Sequence, residues 1–282
     1  MSKFTKRSKR VASIATVLVA ASVAAVSLGG AANATTAKAS PTPTASAKPT
    51  IVLVHGAWAD SASFGSIGYR LRHDGYTVRD FANPLRSLSG DAADLNSFLK
   101  VETSGPVVLV GHSYGGAVIT EAATSDPQVK GLVYVDAFAP DEGESVLSLA
   151  ATASTGDPSA AFDQVPYTGA PTGDAELYLK KDAFDAELAN GLPKTEQEEL
   201  YARQEPVTLS ALSEKATTPA WKTIPSWYVA GTKDQSIPIA LQEKMATRAH
   251  SHLTTVPSGH LSMLQFPGTI TGVIEQAASG KH

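Results

Sequence analysis

Val107-Val108-Leu109-Val110-Gly111-His112-Ser113-Tyr114-Gly115-Gly116, running on into Ala117-Val118-Ile119, is the stretch that decides the fold of this 282-residue chain. Four consecutive apolar residues, mostly β-branched, read as a strand buried on both faces. Ala117-Val118-Ile119 opens a helical pattern directly afterwards. Gly-x-Ser-x-Gly taken bare arises by chance about once in ten chains of this length, at ~7% usage of each residue. Between a strand and a helix it specifies a sharp turn that lifts a serine hydroxyl clear of the backbone. Glycines flank the serine because side chains do not fit around so tight a turn. The helix N-terminus that follows points its backbone N–H groups at negative charge developing near the serine.

Outward from this stretch, apolar runs alternate with helical patterns. The runs are Ile51–Val54, Tyr76–Phe81, Val107–Val110, Leu132–Val135, Trp227–Ala230 and Leu253–Val256. Helical patterns fall near 61–73, 91–103, 115–124, 239–248 and 262–277. This alternation predicts an α/β fold with about six strands in a mainly parallel sheet and helices on both sides. The order breaks once, between Val135 and Trp227, where residues rich in Ala, Asp, Glu, Pro and Gly replace apolar runs. So long an insertion is no plain connection. It predicts a helical cap over about 138–222, before the penultimate strand, with helices over Ala175–Leu188 and Thr195–Gln204.

A serine nucleophile needs a base, and the base needs an acid to orient it. Four histidines follow Ser113: His250, His252, His260 and His282. His282 is terminal, and His250 and His252 flank the last strand, where solvated positions are expected. His260, in Pro257-Ser258-Gly259-His260, lies just past the carboxyl end of that strand, the edge at which parallel sheets carry their active-site loops. It is the expected base. Asp234, in Gly231-Thr232-Lys233-Asp234, comes from the neighbouring loop and is the expected acid; Asp136, ending Leu132–Val135, is the rival. An oxyanion hole takes one N–H from the residue after the nucleophile and one from the loop after the first strand. Tyr114 and Ala57 are those residues, with Gly56 allowing the turn and His55 beside it in a supporting role. Trp58, Phe138 and Trp221 are expected around a substrate pocket; Phe162, Tyr167 and Tyr178 are further aromatics of the cap segment.

HGAW at 55–58, GHSYGG at 111–116, VDAFAPDEGES at 135–145, GTKDQSIP at 231–238 and VPSGHLSML at 256–264 together resemble the α/β-hydrolase superfamily. The branch they resemble is that of small capped serine carboxylesterases, with plant methyl-ester esterases, hydroxynitrile lyases and bacterial members. The resemblance covers roughly residues 50–278 and is weakest in the cap. It implies Ser113, Asp234 and His260 as a catalytic triad, Ala57 and Tyr114 as oxyanion donors, and hydrolysis of a small to medium ester. Hydroxynitrile lyases of this branch carry a Thr beside the oxyanion loop and a Lys after the catalytic histidine; Gly56 and Leu261 stand there in this chain, against cyanohydrin cleavage. A serine at 113 likewise speaks against the carboxylate-nucleophile chemistry of dehalogenases and epoxide hydrolases. Two other readings remain: a ligand-binding relative with an idle triad, and cofactor-free haloperoxidase or perhydrolase activity. No metal or organic cofactor is expected.

Composition bounds the partners and the compartment. Lys3, Lys6, Arg7, Lys9 and Arg10, the apolar run Val11–Leu28 and Ala32-Asn33-Ala34 follow the order of an export signal, so 1–34 is expected to be cleaved and the protein secreted. Thr35 to Pro49 holds no bulky apolar residue and reads as a disordered linker before the domain at 50–282. The whole chain carries a formal charge of −4; without its first 34 residues, 18 basic residues face 27 acidic ones. That excess argues against nucleic acid or an anionic membrane as partner and leaves a small-molecule ester. With no cysteine there is no disulfide, thiolate metal site or cysteine nucleophile.

Overall fold

Branched and aliphatic residues in unbroken runs can fill both faces of a strand, and each of the six expected runs is a strand in the computed structural model, which describes residues 48–153 and 158–280. In chain order the strands are β1 (Thr50–Val54), β2 (Val78–Phe81), β3 (Val107–His112), β4 (Val129–Val135), then β5 (Phe162–Val165), β6 (Glu176–Leu179) and β7 (Val207–Thr208) in the insertion, and finally β8 (Ser226–Gly231) and β9 (His252–Val256). The main sheet runs β2-β1-β3-β4-β8-β9, with every neighbouring pair parallel. β1, β3 and β8 are buried at every residue, whereas edge strands β2 and β9 expose Arg79, Asp80, His252 and Leu253.

Alternation distributes these side chains over two cores. Val52, Val54 and Leu109 turn to one face, under the helices Leu88–Glu102, Tyr114–Ala122 and Ile239–Arg248. Ile51, Leu53 and Val110 turn to the other, under Gly65–His73 and Pro267–Ser279. The second helix begins three residues earlier than its pattern, because the Ser87 side chain caps it by accepting from the Gly90 N–H at 3.1 Å.

The insertion corrects one expectation. Helices are present at Val146–Ala151, Lys194–Ala202 and Leu209–Ser213, but β5, β6 and β7 also form a three-stranded antiparallel sheet, so the cap is mixed. Within 175–188, expected to be helical, Leu177 and Leu179 are buried and Glu176 and Tyr178 half-buried. That period of two makes 176–179 a strand, while 181–188 after it is helical, as expected. Residues 1–47, which hold the expected leader and nearly all of the linker, lie outside the described residues, as does His282. Among the described residues no helix is long and apolar enough to cross a membrane.

The connections place the site. From β1 the chain goes outward to β2 and returns to β3 on the other side of β1. At such a reversal the carboxyl ends of the two strands flank a crevice, where ligands of open α/β sheets bind. Gly56-Ala57 follows β1 and Ser113 follows β3 at this point.

Candidate active site

Ser113 stands between β3 and the helix that opens at Tyr114, with φ 51° and ψ −123°. A left-handed φ in a residue with a side chain costs about 1–3 kcal/mol and persists only where surroundings enforce it. Here the Ser113 carbonyl accepts from the N–H groups of Gly116 (3.0 Å) and Phe138 (3.1 Å). The glycines make room: a Cβ on Gly111 would lie 2.6 Å from the Gly115 carbonyl oxygen, and one on Gly56 2.7 Å from the Ser113 Cβ. The serine is 5% exposed.

His260, after β9, and Asp234, after β8, meet at 2.8 Å between Nδ1 and Oδ2. The Asp234 carboxylate also accepts from the Gln242 side chain (2.8 Å) on Oδ2 and from the N–H groups of Ser236 (2.8 Å) and Ile237 (2.9 Å) on Oδ1. An ionised carboxylate only accepts, so the proton sits on His260 Nδ1 and Nε2 is the basic nitrogen. Burial by itself lowers the His260 pKa; the charge and hydrogen bond of Asp234 and the charge of Asp136 outweigh it, and the net shift is upward from 6.5.

The rival acid, Asp136, makes no hydrogen bond to the imidazole. Its Oδ1 accepts from the Gly231 N–H at 2.7 Å and its Oδ2 from the Ser262 N–H at 3.1 Å. Asn190 of the cap braces the same loops. Its Oδ1 accepts from the His260 N–H (3.2 Å) and its Nδ2 donates to the Lys233 carbonyl (2.7 Å). No motif marks Asn190 or Gln242. Their roles come from contacts between distant segments, as does the bond from the Tyr114 hydroxyl to Asp91 at 2.7 Å.

Ser113, His260, Ala57 and Tyr114 line one cavity of about 500 Å³, within the range of small-molecule sites. Tyr114 is the first residue of its helix, where backbone N–H groups lack an intrahelical acceptor. His55 is spent on structure: Nε2 accepts from the Asn83 N–H at 3.0 Å, so Nδ1–H donates to the Gly56 carbonyl at 3.0 Å. Those bonds fix the loop carrying Ala57. The His112 ring lies 4.8 Å from the His260 ring, and burial, then the His260 charge, hold its pKa well below 6.5.

Trp58 and Phe138 are in the cavity lining as expected, and Phe162 joins them, stacked on Trp58 with centroids 5.4 Å apart. Trp221 is the correction. It is buried away from the cavity, donating from Nε1 to the Pro140 carbonyl at 2.9 Å with the Arg248 guanidinium over its ring. Position in the sequence placed it near the cap, but its contacts fix the cap's root. Tyr167 and Tyr178 are likewise outside the lining. Unexpectedly, Glu187 adds a carboxylate to this mostly apolar wall, and burial raises its pKa. His250 and His252 are solvent-exposed.

A family model described as "Alpha/beta hydrolase family" matches residues 51–270. The "Carbendazim hydrolyzing esterase" of Nocardioides sp. (strain SG-4G) is 36% identical over 123 residues, which span 39% of this chain and 51% of that relative, about half its length. Among solved structures, polyneuridine aldehyde esterase superposes with a TM-score of 0.69 at 17% identity, over 81% of this chain and 99% of that one. The pyrethroid hydrolase of Sphingobium faniae JZ-2 gives 0.64 at 20% identity, over 82% and 97%. At such identities the structural likeness speaks to the fold.

Proposed function

This chain belongs to the alpha/beta hydrolase family, and from that premise we propose that it is a serine esterase cleaving a small to medium, largely apolar carboxylic ester through an acyl-enzyme on Ser113. One observation carries the reading. A serine in left-handed backbone conformation shares a cavity with a histidine whose Nδ1–H is bonded to a fully hydrogen-bonded aspartate. Hydrolase and esterase relatives support ester chemistry in general.

In the proposed mechanism, His260 Nε2 takes the Ser113 proton as Oγ attacks the ester carbonyl, and the N–H groups of Ala57 and Tyr114 hold the oxyanion. The imidazolium, oriented by Asp234, protonates the departing alkoxide. His260 then takes a proton from water as the water oxygen attacks the acyl carbonyl; the bond to Ser113 Oγ breaks, Oγ recovers the proton from His260, and the acid leaves. Trp58, Phe138 and Phe162 supply apolar area for the ester, and Glu187 disfavours anionic substrates. The basic start and apolar run of residues 1–34 support export ahead of this activity.

The test is the intact mass of residues 35–282 after exposure to an alkyl fluorophosphonate. One adduct per chain is expected on the parent, none on Ser113→Ala, and slow labelling on His260→Ala. A folded parent that stays unlabelled sinks the serine-esterase reading and favours a ligand-binding protein. Turnover of plain esters without peroxide separates the proposal from perhydrolase chemistry.

A further inference from the structure

Asp136 is the first residue after β4 and is completely buried. Its backbone is left-handed, at φ 43°, a strained conformation for a residue with a side chain. The strain aims a carboxylate between two loops that never touch it in sequence. Gly231, whose N–H it binds at 2.7 Å, closes β8 three residues before Asp234. Ser262, whose N–H it binds at 3.1 Å, comes two residues after His260. Gly231 has to be small here: a Cβ on it would lie 2.8 Å from the carbonyl oxygens of Ser258 and Gly259 and 3.0 Å from Asp136 Oδ1.

A carboxylate in such a place is expensive. Burial and the neighbouring Asp234 charge push its pKa up to about 7, and the charge that opposes them is that of His260. A merely structural acceptor at this position could be an asparagine or a backbone carbonyl at lower cost. The charge makes sense if it acts when His260 is cationic.

We propose that Asp136 is a positioning residue of the catalytic base: it clamps the loops of Asp234 and His260 together and stabilises the imidazolium as a second, non-contacting carboxylate. The proposal rests on the assignment of His260 as base. Other groups face the same imidazole or its cavity. Asp234 approaches from the loop after β8, the His112 ring from the end of β3, and Glu187 lines the same cavity from the cap. The Tyr228 hydroxyl of β8 feels both carboxylates and stays neutral, its pKa raised by burial and then by the Asp136 charge. None of these replaces an anion lost at 136.

The experiment measures the rate of fluorophosphonate labelling from pH 5 to 9 on the parent and on Asp136→Asn. Without the second negative charge the imidazolium is less favoured, so the acid limb of the variant should move down by roughly one pH unit. At pH 8 its labelling should be slower by roughly tenfold, from looser loops. A folded variant whose acid limb stays in place overturns the proposal, even if it is slower. If Asp136→Asn does not fold, the low-field Nδ1 proton of His260 in the parent decides. A two-step shift with pH is the expected signature of two coupled groups, and a single step overturns the coupling. A folded parent that fails to label at any pH sinks the esterase reading itself; labelling with an unmoved limb sinks Asp136 alone.

Discussion

At the scale of single residues, the site is a question of which atom holds which proton. Four hydrogen bonds converge on the Asp234 carboxylate, from His260, Gln242, Ser236 and Ile237. Asp234→Asn offers the imidazole an amide in place of an acceptor and favours the wrong tautomer. Its kcat on an aryl ester is expected to fall by on the order of 10³–10⁴, with folding retained, the size of loss seen when a triad acid is made neutral. The direction of the His260 shift gives a second outcome. In the proposed mechanism catalysis needs the neutral imidazole, and its pKa is raised from 6.5. Activity is therefore full well above that raised value and falls as pH drops through it. The acid limb of kcat/KM should lie above pH 6.5; a limb below that value would contradict the charge balance around His260.

At the scale of elements, the strand-turn-helix around Ser113 and the cap act as separate devices. Gly111→Ala places a Cβ 2.6 Å from the Gly115 carbonyl oxygen and 2.8 Å from the Gly116 Cα, both backbone, so the turn itself must shift. Overpacking of this kind costs about 1–3 kcal/mol, read by chemical denaturation, and fluorophosphonate labelling should fall with it. The cap contributes through Asn190, whose two bonds reach the His260 N–H and the Lys233 carbonyl. Asn190→Ala should lower stability by only about 1 kcal/mol but cut kcat roughly tenfold, since small misplacements of catalytic groups are costly. A loss confined to KM would show that the cap only binds substrate.

At the scale of the whole molecule, stability rests on the two cores either side of the sheet. With no cysteine in the chain, reducing agent should leave the thermal melting midpoint unchanged. The proposed export makes a further expectation: expressed with its first 34 residues in a secreting host, the protein should appear in the medium with Thr35 at its N-terminus. Retention of Met1 on membranes would turn the leader into an anchor.

Much of this was legible in the chain because it is local. Strand periodicity, the Gly-x-Ser-x-Gly turn and loops at the carboxyl ends of strands involve neighbours in sequence, so they specified six strands in sequence and put Ser113, Asp234 and His260 on loops at one edge. The mixed cap was not legible, because a four-residue strand such as Glu176–Leu179 carries little periodic signal and forms only against partners elsewhere. Nor was the place of Trp221, or the brace made by Asp136 and Asn190. Sequence alone determined the strands of the sheet, the glycine-flanked serine turn and the order of the candidate residues. Only the tertiary structure decided which side chains meet, because a hydrogen bond between residues 70 or 126 positions apart depends on how whole layers pack and on nothing either residue's neighbours encode.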